Sequence, residues 1–92
     1  MLKQVDSINY RIVKELGIIG KVDNETTELN LISYNNYKPK LDLRKWRTYE
    51  DGSKRLDRGL TLTNEEARKL KDFLEDYLSH LDKQYNEAVQ IN

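Results

Sequence analysis

Between residues 38 and 46 the chain sets Lys38, Lys40, Arg44 and Trp46 at every second position, with Asp42 among them. In an extended strand alternate residues share a face and recur every ~6.6 Å. That is close to the backbone repeat of an extended single-stranded nucleic acid, so cations along such a row can pair with successive phosphates. Trp46, with Tyr34 or Tyr37 nearby, offers flat faces on which bases can stack, each worth ~1–3 kcal/mol. The competing reading is a solvated sheet face of mixed charge. Trp46 tips the balance toward binding, because its parity opposes that of Leu41 and Leu43. Tyr34, at a strand end, reads more readily as a packing residue. A second basic cluster, Lys54, Arg55 and Arg58 ahead of Gly59, would lie beside this strand in a hairpin, although hairpin loops are often charged merely because they are exposed.

The inventory for catalysis is poor. His80 is the only histidine, it lies on a helical pattern beside Leu78 and Leu81, and it has no partner at metal-ligand spacing. No serine sits in a Gly-x-Ser-x-Gly elbow, and glycines 17, 20, 52 and 59 do not form a phosphate-cradling loop. Glu65 and Glu66 are adjacent, so on a helix they point ~100° apart, and capping explains them better than acid–base work. There is no cysteine, which excludes disulfides and thiolate metal sites. Neither an enzyme nor a cofactor or metal site is expected.

The net charge is zero, but its distribution is uneven. Residues 1–37 carry four basic and five acidic side chains, residues 38–58 eight and four, and residues 59–92 four and seven. The middle segment is therefore the basic one, and a local basic surface matters more to a polyanion than the total. At 92 residues the chain is one domain. It buries roughly 60–65 % of its unfolded surface, a marginal amount that a partner subunit would improve. No basic-then-apolar leader opens it, and no apolar run approaches the ~18 residues of a membrane span. The expected location is cytoplasmic, with nucleoid association.

These residues need a scaffold, and the hydrophobic pattern supplies one. Tyr10–Ile19 reads as a strand, residues 20–25 as a turn, Thr26–Tyr34 as a second strand, and Asn35-Asn36 as a turn. Lys38–Arg47 is the third strand, with Pro39 near its start. Asp51-Gly52 marks a hairpin, and Leu56–Thr63 is the fourth strand, with Leu60 and Leu62 facing inward. Thr63-Asn64-Glu65-Glu66 fits a capping box. Ala67, Leu70, Phe73, Leu74, Tyr77, Leu78, Leu81 and Tyr85 then follow helical spacing. The pattern predicts an α+β fold: a four-stranded antiparallel sheet, one face of it covered by a long C-terminal helix. Residues 1–9 are expected to be flexible, 10–85 to form the domain, and 86–92 to fray.

The stretch Pro39-Lys40-Leu41-Asp42-Leu43-Arg44-Lys45-Trp46, a charged hairpin, then Arg58-Gly59-Leu60-Thr61-Leu62-Thr63-Asn64-Glu65-Glu66, resembles the transcriptional coactivator family of positive cofactor four, closest to its compact prokaryotic and phage members. The likeness covers residues 10–80. It implies a curved sheet plus helix, assembled as a homodimer through the helices, whose sheets form channels for single-stranded DNA with little sequence preference. Carried over by position, Arg44 matches the family's strand arginine, Arg58 its basic residue before glycine, and Trp46 approximately its tryptophan. Lys38 and Lys40 lie where relatives are basic. Trp46 sits one residue nearer the arginine than in the eukaryotic pattern, and the eukaryotic serine-rich tail is absent, so coactivation is not carried over.

The expected nucleic-acid-binding set is therefore Tyr34, Lys38, Lys40, Arg44, Trp46, Lys54 and Arg58. The expected dimer interface is Leu70, Phe73, Leu74, Tyr77, Leu78 and Leu81. The expected partner is single-stranded DNA, in transcription, replication, recombination or repair. Two alternatives use the same surfaces: RNA binding, since a stacking channel need not inspect the sugar, and a protein-interaction module.

Overall fold

The computed structural model describes residues 8–91, with side chains as far as residue 84. Four strands, β1 (Tyr10–Val22), β2 (Glu25–Tyr34), β3 (Lys40–Thr48) and β4 (Lys54–Leu62), precede one helix, α1 (Asn64–Ile91). The strands pair antiparallel in chain order, β1-β2-β3-β4. The α+β class, the antiparallel sheet and the C-terminal helix are as the pattern predicts, and the sheet's curvature is as the resemblance implies. Residues 1–7 of the expected flexible start lie outside the described residues. The Asn9 carbonyl already accepts from the Asn35 amide at 2.7 Å, so the chain is tied to the sheet from there. The helix runs beyond Tyr85 to Ile91. The Tyr85 side chain, and Asn92 of the expected frayed end, lie outside what is described. No helix among the described residues is long and apolar enough to cross a membrane.

Each turn follows from its residues. Asn35 and Asn36 both take positive φ, 51° and 64°, which asparagine tolerates better than other side chains. The Tyr37 amide then closes the turn on the Tyr34 carbonyl at 2.8 Å. In the β3–β4 hairpin Gly52 has φ 88°, and Asp51 Oδ1 accepts from the Ser53 amide at 2.8 Å and from its hydroxyl at 2.6 Å. The helix start is the expected capping box. Thr63 Oγ1 accepts from the Glu66 amide at 3.0 Å, and Glu66 Oε1 accepts from the Thr63 amide at 2.9 Å.

Curvature comes from unequal strand lengths. β1 has 13 residues against 10 in β2. Its register shifts three times, between Ile12 and Lys14, Glu15 and Gly17, and Ile18 and Gly20. Val13, Leu16 and Ile19 are the extra residues, and each such bulge bends and twists the strand. A further shift lies between Arg44 and Trp46, which face Gly59 and Leu56. The result is a sheet rolled around one face. Tyr10 pairs with Tyr34 at one end of β2, and Trp46 pairs with Thr26 near the other. Yet the Tyr10 ring centroid lies 5.7 Å from that of Trp46 and 6.4 Å from that of Tyr34.

Gly59 permits this closure. A Cβ there would stand 1.9 Å from Arg44 Cβ and 2.6 Å from both Arg44 Cα and the Leu43 carbonyl oxygen. Backbone, not a flexible tip, blocks it. Gly59→Ala is expected to cost about 2–3 kcal/mol through overpacking, read as a lower denaturant midpoint; an unchanged midpoint would show that β3 and β4 separate freely here.

Two expectations about packing are corrected. First, α1 does not cover the sheet. Ala67 is its only partly buried residue among the described side chains, and the rest of its apolar stripe is exposed, from Leu70 at 37 % to Phe73 at 73 %. Second, the leucine face is not the interior. Leu29, Leu31, Leu41, Leu43 and Leu62 are only half-buried, and Leu60 is exposed. The interior is the opposite, inward-rolled face: Ile32, Trp46, Asp42, Asn30 and Glu28 are all buried. A two-faced sheet buries whichever face it curls around, and here the bulges of β1 make that the polar one.

Candidate nucleic-acid interface

The rolled face is built on alternate residues of β2 and β3. Glu28 faces Arg44 across the strands, Asn30 faces Asp42, and Ile32 faces Lys40. Charged groups can be buried here because they are paired. Asp42, fully buried, accepts from Arg44 Nε at 2.7 Å, from Arg44 Nη2 at 2.8 Å and from the Tyr34 hydroxyl at 2.8 Å. Arg44 Nη1 donates to the Asp57 carbonyl at 3.0 Å, and its guanidinium carbon lies 5.7 Å from the Tyr34 ring centroid. The hydrogen bonds to Asp42 hold the Arg44 pKa above its ordinary value against the cost of burial. Burial first, then the Asp42 hydrogen bond and charge, push the Tyr34 hydroxyl well above the usual tyrosine range.

Of the residues expected to contact nucleic acid, Trp46 and Arg44 are corrected. Trp46 lies on the same face as Lys40 and Arg44, as its parity predicts, but it is 1 % exposed and offers no open stacking face. Arg44 presents no free cation, since all three of its nitrogens are engaged and its side chain is 15 % exposed. Trp46 is buried and Arg44 largely covered because the face they share is the one the sheet rolls around.

Lys38 and Lys40 are exposed, and with Ile32, Tyr34, Tyr37 and Thr61 they line a cleft of about 150 Å³. Tyr37 is itself 74 % exposed. Lys54 reaches across the rolled face to pair with Glu28 Oε2, and its ammonium lies 5.4 Å from the Trp46 ring centroid. Arg58 is exposed within the β3–β4 irregularity and makes no ion pair among the described residues. The structure thus brings Tyr34, Lys38 and Lys40 together at one end of the face and Lys54 at the other, with Arg58 apart.

A second cleft, of about 390 Å³, was not foreseen. Glu15, Leu16, Gly17 and Ile18 of β1, Glu28 and Asn30 of β2, and Lys54 line it. Burial alone would raise the Glu28 pKa, but hydrogen bonds from Lys54 and Thr26 and the Lys54 charge outweigh it and hold the carboxyl below its ordinary value. Asn30 Nδ2 is close enough to favour the charged carboxylate, yet it makes no hydrogen bond of proper geometry, and Trp46 Nε1 is also buried without a partner. Glu28 and Asn30 carry no sequence signal of a site: their alternation with Leu29 and Leu31 reads as an ordinary solvated strand face. Arg55, over the Tyr49 ring at 4.9 Å, adds a cation at the hairpin. Among the described residues no three of His, Cys, Asp and Glu converge as a metal-ligand set.

The six helix residues expected at a dimer interface form one uncovered stripe, which together with the half-buried leucines of the outer sheet face leaves a large apolar surface without an intramolecular partner. Compared with known proteins, the chain matches no family model, and no curated protein resembles it closely enough to count as a relative.

Proposed function

We propose that this protein binds single-stranded DNA through its rolled sheet face, with little sequence preference along the strand, and that it works as a homodimer without catalysis or cofactor. The observation that carries the reading is the cleft at Tyr34, Tyr37, Lys38 and Lys40, where two exposed cations stand beside an exposed aromatic ring. Cations meet phosphates and the ring accepts a base. The likeness to positive cofactor four supports the same substrate and points to a role in transcription, replication, recombination or repair. With Trp46 buried and Lys54 paired to Glu28, Tyr37 takes the stacking role and Lys38, Lys40 and Arg58 the phosphates.

Binding is tested by titrating a labelled oligo-dT at several salt concentrations. Log affinity is expected to fall with log salt at ~0.7 per phosphate contact. Replacing Lys38 and Lys40 together by Ala should lower that slope by about 1.4, while Tyr37→Ala weakens binding by ~1–3 kcal/mol. A slope near zero in the parent protein would exclude phosphate pairing. An RNA competitor more effective than DNA would move the assignment to RNA.

Homodimer formation through α1 has its own support. The stripe from Leu70 to Leu81 is exposed along its whole length, and an exposed apolar stripe of this kind marks a contact with another chain. Sedimentation at micromolar concentration is expected to give about twice 10.9 kDa, and Phe73→Glu with Tyr77→Glu is expected to dissociate it. A parent protein found only as a monomer would overturn the assembly.

A further inference from the structure

We infer that the larger cleft, between the bulged middle of β1 and Lys54, receives a single nucleobase edge-on and favours guanine; this rests on the nucleic-acid reading above. The cleft is within the size range of small-ligand sites, at about 390 Å³. It is also chemically incomplete. Asn30 is 2 % exposed and lines the cleft, and its Nδ2 donor, though near the Glu28 carboxylate, makes no hydrogen bond of proper geometry. A buried polar group without a partner costs roughly 1–3 kcal/mol, a cost that a ligand acceptor would remove. Beside it stands Glu28, 5 % exposed. Its Oε2 takes the Lys54 ammonium and the Thr26 hydroxyl, while Oε1 accepts from no described residue. The floor therefore offers a carboxylate oxygen with free lone pairs next to N–H donors from Asn30 and Lys54.

The four bases differ in how they meet that pattern. The Watson–Crick edge of guanine carries two adjacent donors, N1–H and N2–H, followed by the O6 acceptor. Glu28 would accept the two donors, and Asn30 or Lys54 would donate to O6. Thymine has one N–H flanked on both sides by carbonyl oxygens, which the carboxylate repels. Cytosine and adenine each bring a single donor group beside an acceptor. Reading a base by hydrogen bonds to this edge is the usual way a pocket recognises an unstacked nucleotide. The bulges contribute directly, since they put Gly17, which has no side chain, on the cleft wall.

The test uses the full chain and short dT tracts, either uniform or carrying one central dG, dC or dA; a single dG avoids self-association of guanine runs. The dG tract is expected to bind roughly tenfold tighter than uniform dT, with dC and dA between them. In Glu28→Gln the ratio of dG to dT affinity should fall to near one, because the amide presents N–H groups to the guanine donors. Asn30→Ala, checked for folding by circular dichroism, should also reduce the ratio and serves where the Gln variant folds poorly. Equal binding of all four tracts by the parent protein overturns the guanine site and leaves the single-strand reading intact. A dG preference that persists in both variants also overturns it, by placing discrimination elsewhere. If no tract binds, the nucleic-acid reading falls first and the guanine site falls with it.

Discussion

Trp46→Ala is expected to destabilise the protein by about 3–5 kcal/mol, the usual cost of removing a buried tryptophan. At 1 % exposure the indole is the largest fully buried side chain among the described residues, and only Ile32 shares the buried apolar core with it. Tyr10 packs edge-on against it at 5.7 Å, and Lys54 lies over its ring at 5.4 Å. Its removal thus loosens the first residue of β1 and frees the cation that holds Glu28. Trp46→Phe should cost much less, because the smaller ring fills part of the space and eliminates an indole N–H that has no partner. Tryptophan emission should be blue-shifted before any oligonucleotide is added and should change little on binding. An alanine variant of parental stability that binds oligo-dT poorly would instead return Trp46 to the binding surface.

Asp42→Ala is expected to be as damaging, about 3–5 kcal/mol, because breaking a buried ion pair leaves its partner's charge uncompensated. Asp42 is fully buried, and it takes two guanidinium hydrogen bonds and one tyrosine hydroxyl. Deleting it leaves Arg44 Nε and Nη2 and the Tyr34 hydroxyl facing a space too polar to collapse. Two further variants separate the contributions. Tyr34→Phe removes one hydroxyl donor to the carboxylate and should cost about 1.5–3 kcal/mol. Asp42→Asn keeps the shape but not the charge and should fall between. Denaturant midpoints for the three variants give the ranking directly, and an alanine variant within 1 kcal/mol of the parent would show that the network contributes little. The same network separates two roles for Arg44. As a structural cation its replacement by Ala lowers stability and leaves the salt slope of binding unchanged; as a phosphate contact it would flatten the slope.

The local grammar of this chain is legible in the sequence. Asn35-Asn36 and Asp51-Gly52 have the residue types their turns require, Thr63 to Glu66 spell the helix cap, and the alternation of residues 40–46 assigns each side chain to one face or the other. Those features depend on neighbours a few positions away, and the strands and helix formed near where they were expected. The identity of the inner face was a different kind of question. Leu41, Leu43, Leu60 and Leu62 have the composition of an interior, so parity alone put Trp46 and Arg44 outside. The tertiary structure reversed this, because the inner face depends on which way the sheet curls. That direction accumulates from register shifts at Val13, Leu16 and Ile19, residues that look like ordinary strand formers and acquire their role only when ten residues of β2 pair with thirteen of β1. Asp42, whose row of cations suggested a surface, became the anchor of Arg44 for the same reason. Glu28 and Asn30 meet Lys54 only because the sheet closes on itself, and no spacing in the sequence records a contact between residues 26 positions apart on non-adjacent strands. The helix stripe was legible as apolar, but what it covers was not: amphipathic spacing says that a face must be buried, and only the course of the chain after Thr63 shows that this sheet does not bury it.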